Sequence, residues 1–384
     1  MKITDIKTVR LRAALSKEGQ LHSRTGKRMH RSATLVEVHT DEGITGIGSC
    51  SGNGTIIEVI IQKVLKPILI GADPCKIEEI WELAYFCVGV SAFGSRGVGV
   101  VALSGIDMAL WDILGKVKGI PLYELLGATR GKKVELYATA LYPEAPERVA
   151  EKALDFVDMG FRSMKIKVGF DLDRDIEIVK AVRAALGNDF TIMTDANMGY
   201  DREVAVKAAA AFEECSVAFF EEPLFVEDVA GHSFLKTKTK IPIALGENLH
   251  THFAFQQFIE RAAVDILQPD IARVGGVSEM KKIDDLAKQY GLPISLHTWG
   301  DGVALAASLH LSAALESASI MEFDCKENPM RSELLMEPLK PDNGFMSPPD
   351  KPGLGIELNP EALERYAFQG EESISFKQRP LSMR

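Results

Sequence analysis

The sequence predicts a (β/α)8 barrel of TIM type, modified toward (β/α)7β, that carries an N-terminal α+β capping domain. Three observations predict it. Short apolar segments between residues 163 and 323 each end in a charged or imidazole side chain: Lys167, Asp195, Glu221, Glu247, Asp270, His297 and Glu322. These carriers recur at intervals of 23 to 28 residues, the length of one strand, one turn and one helix. Strands read at VELYATA, SMKIKV, FTIMTDA, VAFFEE, IPIALGE, VDILQPD, LPISLH and SIMEFD number eight, which is what a closed barrel needs. In such a barrel the C-terminal strand ends converge on one site, so the periodicity locates the site before any chemistry is named.

A chain of 384 residues exceeds the roughly 250 of a plain barrel by enough for one more domain. Residues 1–127 read as that cap, 128–324 as the barrel and 325–384 as a segment that packs back on the cap. The cap opens on two strand-like stretches, ITDIKTVRLR and SATLVEVHT. A polar connection from Leu15 to Arg31 joins them and holds His22, Arg24, Lys27, Arg28, His30 and Arg31. GIGSCSGNGT reads as turns. Helical patterns follow over 56–69, 76–90 and ALSGIDMALWDILGKVKG, where Leu103, Ile106, Leu110, Ile113 and Leu114 fall three and four apart. Gly119 and Pro121 end the last of them. The tail is too rich in Pro and Gly for another barrel unit.

Composition excludes several function classes. Apolar residues at 46% and charged residues at 26% suit a soluble enzyme, so neither disorder nor membrane insertion is expected. MKITDIKTVRL lacks a continuous apolar core and does not read as a secretory signal, and no run reads as long enough to span a bilayer. Cys50, Cys75, Cys87, Cys215 and Cys325 are odd in number and contain no CxxC pair, against a disulfide framework or a zinc site and toward a reducing cytoplasm. A net charge of −10 argues against nucleic acid and would repel an anionic substrate, so local cations must attract one.

In SMKIKVG, Met164, Ile166 and Val168 alternate with Ser163, Lys165 and Lys167, which sends the two lysines to one face, the barrel interior. The inward groups are then five carboxylates and two ammoniums, net negative with His297 neutral. Clustered like charges need a counter-ion. Oxygen donors from three successive strands, without Cys or His, favour Mg²⁺ over zinc, with Asp195, Glu221 and Glu247 as its ligands. Glu222 has the opposite parity and is expected to point away or to support from behind. Asp270 and His297 lie on consecutive strands, where the aspartate fixes the imidazole tautomer. His250, His252 and His310 read as structural. A lysine on the second strand and a histidine on the seventh flank a carboxylate substrate held by the metal, a geometry for removing its α-proton. The resulting ene-diolate meets Mg²⁺, Lys165 and a protonated Glu322.

These residues resemble the enolase superfamily, in its mandelate racemase and muconate lactonizing enzyme group. The matching motifs are KIK (165–167), TDAN (194–197), FEEP (220–223), GEN (246–248), QPD (268–270), LHTWG (296–300), IMEFD (320–324) and ALWDILGK (109–116). The resemblance implies Lys167 as one acid/base, His297 with Asp270 as the other, and Glu322 as hydrogen-bond donor to the enolate oxygen. It makes Lys165 a contact of the substrate carboxylate that lowers the pKa of Lys167, with Asn197 a further substrate contact. The cap would read the substrate through the His22–Arg31 and Cys50–Thr55 stretches, and a homo-oligomer, from dimer to octamer, is implied. The tail IMEFDCKENPMRSELLMEP with GLGIELN looks most like galactarolactone cycloisomerases and related sugar-acid dehydratases. Asn248 and Leu249 depart from that branch, which carries Thr and an aromatic there.

The expected function is Mg²⁺-dependent α-proton abstraction from a sugar acid or its lactone, the small-molecule partner, followed by cycloisomerisation or loss of water. Arg24, Lys27 and Arg28 point to a polar, dianionic substrate, against the reading of a solvated loop. Racemisation by two-base proton transfer is the alternative outcome of the same intermediate. A Schiff-base aldolase using Lys167 leaves the acidic triad unexplained. A non-catalytic binding barrel would carry five inward carboxylates at a cost of several kcal/mol.

Overall fold

The computed structural model of the chain describes residues 1–23, 26–88 and 94–372. The cap is a three-stranded antiparallel sheet in the order β1 (Ile3–Ala14), β4 (His30–Thr40), β5 (Thr45–Cys50), with a separate hairpin of β2 (Leu21–Ser23) and β3 (Gly26–Arg28) inside the connection read as polar loop. Helices α1 (Gly54–Ile60), α2 (Lys66–Leu69), α3 (Ile77–Tyr85), α4 (Val98–Lys118) and α5 (Leu122–Leu125) cover it, a π-helical turn at Ile61–Leu65 joining the first two. Gly119, left-handed at φ 72°, closes α4 as the sequence requires.

One element departs from expectation. The stretch read as turns begins with a strand, β5, in register with β4 from Thr34 opposite Cys50 to His39 opposite Thr45. Glycine is depleted in strands, which hides this one. Its glycines are there because α4 lies directly on the strand: a Cβ on Gly46 would stand 2.0 Å from the Ala109 carbonyl oxygen, and one on Gly48 1.9 Å from that of Gly105. The helix itself, 21 residues with a mean hydropathy of 1.6, is long and apolar enough to cross a membrane, contrary to the sequence reading. Yet 89% of that apolar window is buried inside the protein, so it is the core helix of the cap.

Its few polar groups grip the barrel. Ser104 accepts from the Gly275 N–H (2.8 Å), and Asp107 accepts from both the N–H (3.0 Å) and the hydroxyl (2.6 Å) of Ser278. Trp111 donates to the same hydroxyl at 3.0 Å. Spaced three and four apart, these residues share one helix face.

The barrel runs β6 (Val134–Leu141), α6 (Pro146–Asp158), β7 (Ser163–Lys167), α7 (Leu172–Leu186), β8 (Thr191–Asp195), α8 (Arg202–Glu214), β9 (Val217–Glu221), α9 (Val229–Lys236), β10 (Ile243–Leu245), α10 (Thr251–Glu260), β11 (Ile266–Leu267), α11 (Val277–Tyr290), β12 (Ile294–Leu296), α12 (Gly302–Ala314) and β13 (Ala318–Asp324). All eight strands are parallel, and β13 closes on β6 with Met321 opposite Leu136 and Asp324 opposite Thr139. Seven helices connect eight strands, the (β/α)7β form. Beyond the barrel lie α13 (Pro329–Ser332), β14 (Phe345–Met346), which pairs antiparallel with β6, and α14 (Pro360–Arg365). The chain then returns to the cap, where Arg12 donates its N–H to the Tyr366 carbonyl (2.8 Å) and Phe368 to that of Arg10 (2.9 Å).

Inside the barrel Tyr137, Met193, Phe219 and Ala244 form an apolar floor. Lys167, Asp195 and Glu221 are neighbours in the strand register above it. The floor keeps water from the lower ends of the charged side chains and leaves only the mouth open to chemistry.

Because a Cβ at Gly48 meets backbone and not a flexible side chain, Gly48→Ala should lower stability by about 3 kcal/mol. An unchanged urea midpoint would show that α4 does not lie against β5 at this distance.

Candidate active site

Each strand end delivers its charged side chain to the mouth of the barrel, and burial forces those charges to pair. Lys165, 0% exposed, stands at the bottom, with its ammonium 2.7 Å from Glu221 Oε2, 2.9 Å from Glu322 Oε1 and 3.8 Å from Asp195 Oδ2. Below it lies the Tyr137 ring at 5.4 Å. Lys167 pairs with Asp195 and donates to Asn197 Oδ1 at 2.9 Å. Asn197 is drawn between Lys167 and Glu247, its amide nitrogen 3.5 Å from Glu247 Oε1 and its backbone N–H donating to Asp195 Oδ1 at 2.8 Å.

On the far side His297 bonds through Nδ1 to Asp270 (2.7 Å) and through Nε2 to Glu247 (2.8 Å), with Glu322 3.6 Å away. The predicted pairing of Asp270 with His297 is therefore formed. Lys167 and His297 hold opposite ends of the row Asp195, Glu221, Glu247.

Protonation differs from expectation in two places. His297, taken as neutral, is pushed well above its ordinary value: burial favours the neutral ring, but the Glu247 and Glu322 carboxylates and the bonds from Asp270 and Glu247 outweigh it. Glu322, taken as protonated, lies at about 2: burial raises it, yet Lys165, His297 and Lys167 together bring it down. Its oxygens face the Lys165 ammonium and accept the Thr298 N–H (3.1 Å), so in this geometry it is an acceptor and not a donor. Lys167 is held above the ordinary lysine value: burial and the Lys165 charge lower it, and Asp195, Glu247 and Tyr142 together outweigh them.

Glu222 takes the second of its two expected places, behind the row. Strand parity ends with the strand: Glu222 turns into a left-handed conformation at φ 37° and is fully buried, where both carboxylate oxygens accept from Asn248 Nδ2 at 2.9 Å. Burial first, then Glu247 and Asp195, push its carboxyl well above the usual range. The same Asn248 nitrogen reaches Glu247 Oε1 at 3.1 Å.

Sequence reasoning missed Gln268, whose amide donates to Glu221 Oε2 at 2.7 Å. It lies just past β11, where alternation no longer assigns a face; the signal is its place beside Asp270 in QPD. His252 and His310 are structural as read: His252 bonds Glu279 at 2.7 Å, and His310 bridges the Tyr123 N–H and the Leu354 carbonyl at 3.1 Å each.

Asp195, Glu221 and Glu247 are the residues that could hold a divalent cation. Among the described residues no three acidic, histidine or cysteine side chains form a ready ligand cluster; lysine and histidine occupy the oxygens instead. Glu221 Oε1 is nevertheless buried with no hydrogen-bond partner. A buried carboxylate oxygen left unsatisfied in an all-oxygen site suits a hard cation such as Mg²⁺.

From the cap, Arg24 lies outside the described residues, as does the side chain of Lys27. Arg28 is exposed. Arg31 is tied down by Asp324 Oδ2 (2.6 Å) and the Glu327 carbonyl (3.2 Å). From the Cys50–Thr55 stretch, Ser51 donates its N–H to the Ala272 carbonyl at 3.1 Å and its hydroxyl accepts from Arg273 at 3.2 Å.

Fold and site together define a barrel enzyme of the enolase superfamily. The mandelate racemase / muconate lactonizing enzyme N-terminal domain matches residues 6–127 and the enolase C-terminal domain-like model matches 148–362, so the chain belongs to the mandelate racemase and muconate lactonizing enzyme family. It is 38% identical to a D-galactarolactone cycloisomerase of Agrobacterium fabrum over 95% of this chain and 99% of that one. It is 36% identical to an arabinonate dehydratase of Saccharolobus solfataricus over 86% and 89%. Crystal structures of an enolase-superfamily member from Polaromonas sp. JS666 (34% identity, TM-score 0.91, 97% and 99% covered) and of a racemase from Streptomyces coelicolor with bound magnesium (30%, 0.87, 95% and 100%) share the fold.

Arg31 and Asp324 are nearly inaccessible, at 6% and 1% side-chain exposure. Arg31→Met leaves Asp324 with Arg331, 3.4 Å away, as its remaining ion-pair partner among the described residues, and should cost about 3 kcal/mol by chemical denaturation. A loss below about 0.5 kcal/mol, the usual size at a surface position, would show that the pair does not hold cap to barrel.

Proposed function

We propose that this protein removes the α-proton of a sugar acid or sugar-acid lactone, with Mg²⁺ held by Asp195, Glu221 and Glu247, and completes the reaction by loss of water or by cycloisomerisation. One observation carries this reading: the two groups able to move a proton, Lys167 and the His297–Asp270 pair, are bonded to opposite ends of the carboxylate row. When bound, the cation would offset the row's negative charge and the charge that develops on the substrate carboxylate as the α-proton leaves.

The chain's own residues divide the remaining work. Whichever of Lys167 and His297 faces the α-hydrogen first gives up the proton its carboxylate partner stabilises; it then accepts the α-proton, and the C–H electron pair moves into the carboxylate to give an ene-diolate. Lys165 supplies a fixed positive charge beside it. The β-oxygen then leaves with the C–O electron pair and takes a proton from the opposite group. A β-hydroxyl departs as water, whereas a ring oxygen opens the lactone ring. Asp270 keeps the His297 ring in place by holding Nδ1–H, so that Nε2 exchanges the proton. The names of relatives, a cycloisomerase of one sugar-acid lactone and a dehydratase of another sugar acid, support both outcomes. The opposed bases also favour a second reading, racemisation, in which the intermediate takes its proton back on the other face.

Aldonic and aldaric acids and their lactones, supplied with Mg²⁺ in D₂O, separate these outcomes. Turnover to a 2-keto-3-deoxy acid that has lost its α-hydrogen and carries solvent deuterium at C3 is expected, whereas epimerised starting acid deuterated at the α-carbon as the sole labelled species would select racemisation. Lys167→Ala and His297→Asn should each slow turnover by about 100- to 10,000-fold. Wild-type rates in both variants would remove the assigned roles. Mg²⁺ at about a hundred times its dissociation constant should stabilise the wild type by about 2.7 kcal/mol, reversed by EDTA, and Glu221→Gln should abolish the effect.

A further inference from the structure

Two of the three carboxylates assigned to the cation come from neighbouring strands. Glu221 ends β9, and Glu247 lies two residues past β10. One residue outside the row touches both places. Gln268, just past β11 and 1% exposed, is tied by its backbone to the end of β10, where its N–H donates to the Leu245 carbonyl at 2.9 Å. The same backbone presses on the residue before Glu247. A Cβ on Gly246, which stands at φ 151°, would come within 2.7 Å of the Gln268 carbonyl carbon and 2.8 Å of its nitrogen. No side chain fits there, so Glu247 leaves its strand at a point that Gln268 defines.

The Gln268 side chain reaches the other way, to β9. Its amide nitrogen donates to Glu221 Oε2 at 2.7 Å, the oxygen that the Lys165 ammonium also meets at 2.7 Å. Glu221 Oε1 is buried with no hydrogen-bond partner among the described residues. The last torsion of a glutamate side chain is broad, so the carboxylate plane is set by what it bonds. Two donors on one oxygen and none on the other hold that plane and leave one oxygen open. Gln268 Oε1 is likewise buried without a partner among the described residues, so the bond to Glu221 is what orients the amide.

The chemistry of the donor matters as much as its position. Another ammonium or guanidinium here would neutralise Glu221 and compete with a divalent ion, and another carboxylate would add to a row already crowded with negative charge. A primary amide donates without carrying charge. It therefore fixes Glu221 and leaves the negative charge to the ion. Burial makes the bond hard to replace, because water does not reach the place to take over a lost partner.

We propose that Gln268 is a positioning residue for the cation: its backbone sets where Glu247 leaves β10, and its amide turns Glu221 so that one oxygen is offered to the ion. Gln268 is not itself a ligand. This rests on the reading that Asp195, Glu221 and Glu247 hold Mg²⁺. Mg²⁺ demands near-octahedral oxygen geometry whereas Ca²⁺ accepts irregular sets, so a fixed Glu221 favours the smaller ion.

The test titrates MgCl₂ and, separately, CaCl₂ into the metal-free full chain by calorimetry. Gln268→Met, which keeps the length and removes the donor, should weaken Mg²⁺ binding about 10- to 100-fold, the usual loss when a residue that orients a ligand is replaced. Ca²⁺ binding should change less than about threefold. Gln268→Asn holds its amide one methylene short of Glu221 and should show the same selective loss, which keeps the test open if Gln268→Met does not fold. In crystals of the Mg²⁺-loaded wild type, Glu221 should coordinate through the oxygen that Gln268 and Lys165 leave open. Equal losses for both ions, or coordination through the oxygen bonded to Gln268, would overturn the assignment. If the wild type binds no Mg²⁺, the reading of the metal site fails and the role of Gln268 with it. If the wild type binds Mg²⁺ and a folded variant binds it as tightly, only the role of Gln268 fails.

Discussion

The arrangement at the barrel mouth depends on one constraint: several carboxylates share a buried space, and none can stay ionised without a cation within a few ångströms. Lys165 answers it at the bottom, contacting Glu221 and Glu322 at once with Asp195 just beyond. Lys167 and His297 answer it at the two ends, on Asp195 and Glu247. The barrel makes this possible because parallel strands set side chains two residues apart on one level after another. Lys165 and Lys167 occupy successive levels of one strand, above a floor of Tyr137, Met193 and Phe219. A strand register shifted by one residue would send the whole set to the helix side.

Much of this was legible in the sequence, for a physical reason. A single charged residue at the end of an apolar strand is unusual, and its recurrence every 23 to 28 residues has no explanation except a repeated βα unit. Strand order, the charged row and the pairing of Asp270 with His297 all follow from local pattern plus periodicity. What escaped were features set by contacts distant in sequence. The strand Thr45–Cys50 reads as turns because its glycines answer to α4, which lies more than fifty residues later. That Glu222 is held behind the row by Asn248, from the end of the next strand, escaped because alternation assigns faces only within a strand and Glu222 lies past it in a left-handed conformation. The charge states of His297 and Glu322 escaped because they are properties of the cluster. Each depends on distances to several partners that no single motif contains.

The cap is joined to this cluster by polar contacts as well as apolar packing. Ser104 and Asp107 on α4 satisfy backbone groups at Gly275 and Ser278, just beyond the loop that carries Asp270 and Arg273. Ser49 bonds the aspartate that begins α12, and Arg31 bonds the aspartate that ends β13. Each of these groups is buried, so removing one partner leaves the other without compensation. The cap therefore fixes the loops that follow the sixth, seventh and eighth strands, where His297 and Asp270 reside.

Two kinds of residue surround the reacting centre, and they tolerate change differently. In the row, every charge stabilises at least one other; replacing Lys165 would strand Glu221 and Glu322 in a place water does not reach. The chemistry of the first step is thereby tied to the integrity of the barrel. Arg28 stands at the opposite extreme: on the hairpin outside the cap sheet and free of ion pairs among the described residues. Relatives that share fold and family carry the names of different sugar-acid reactions.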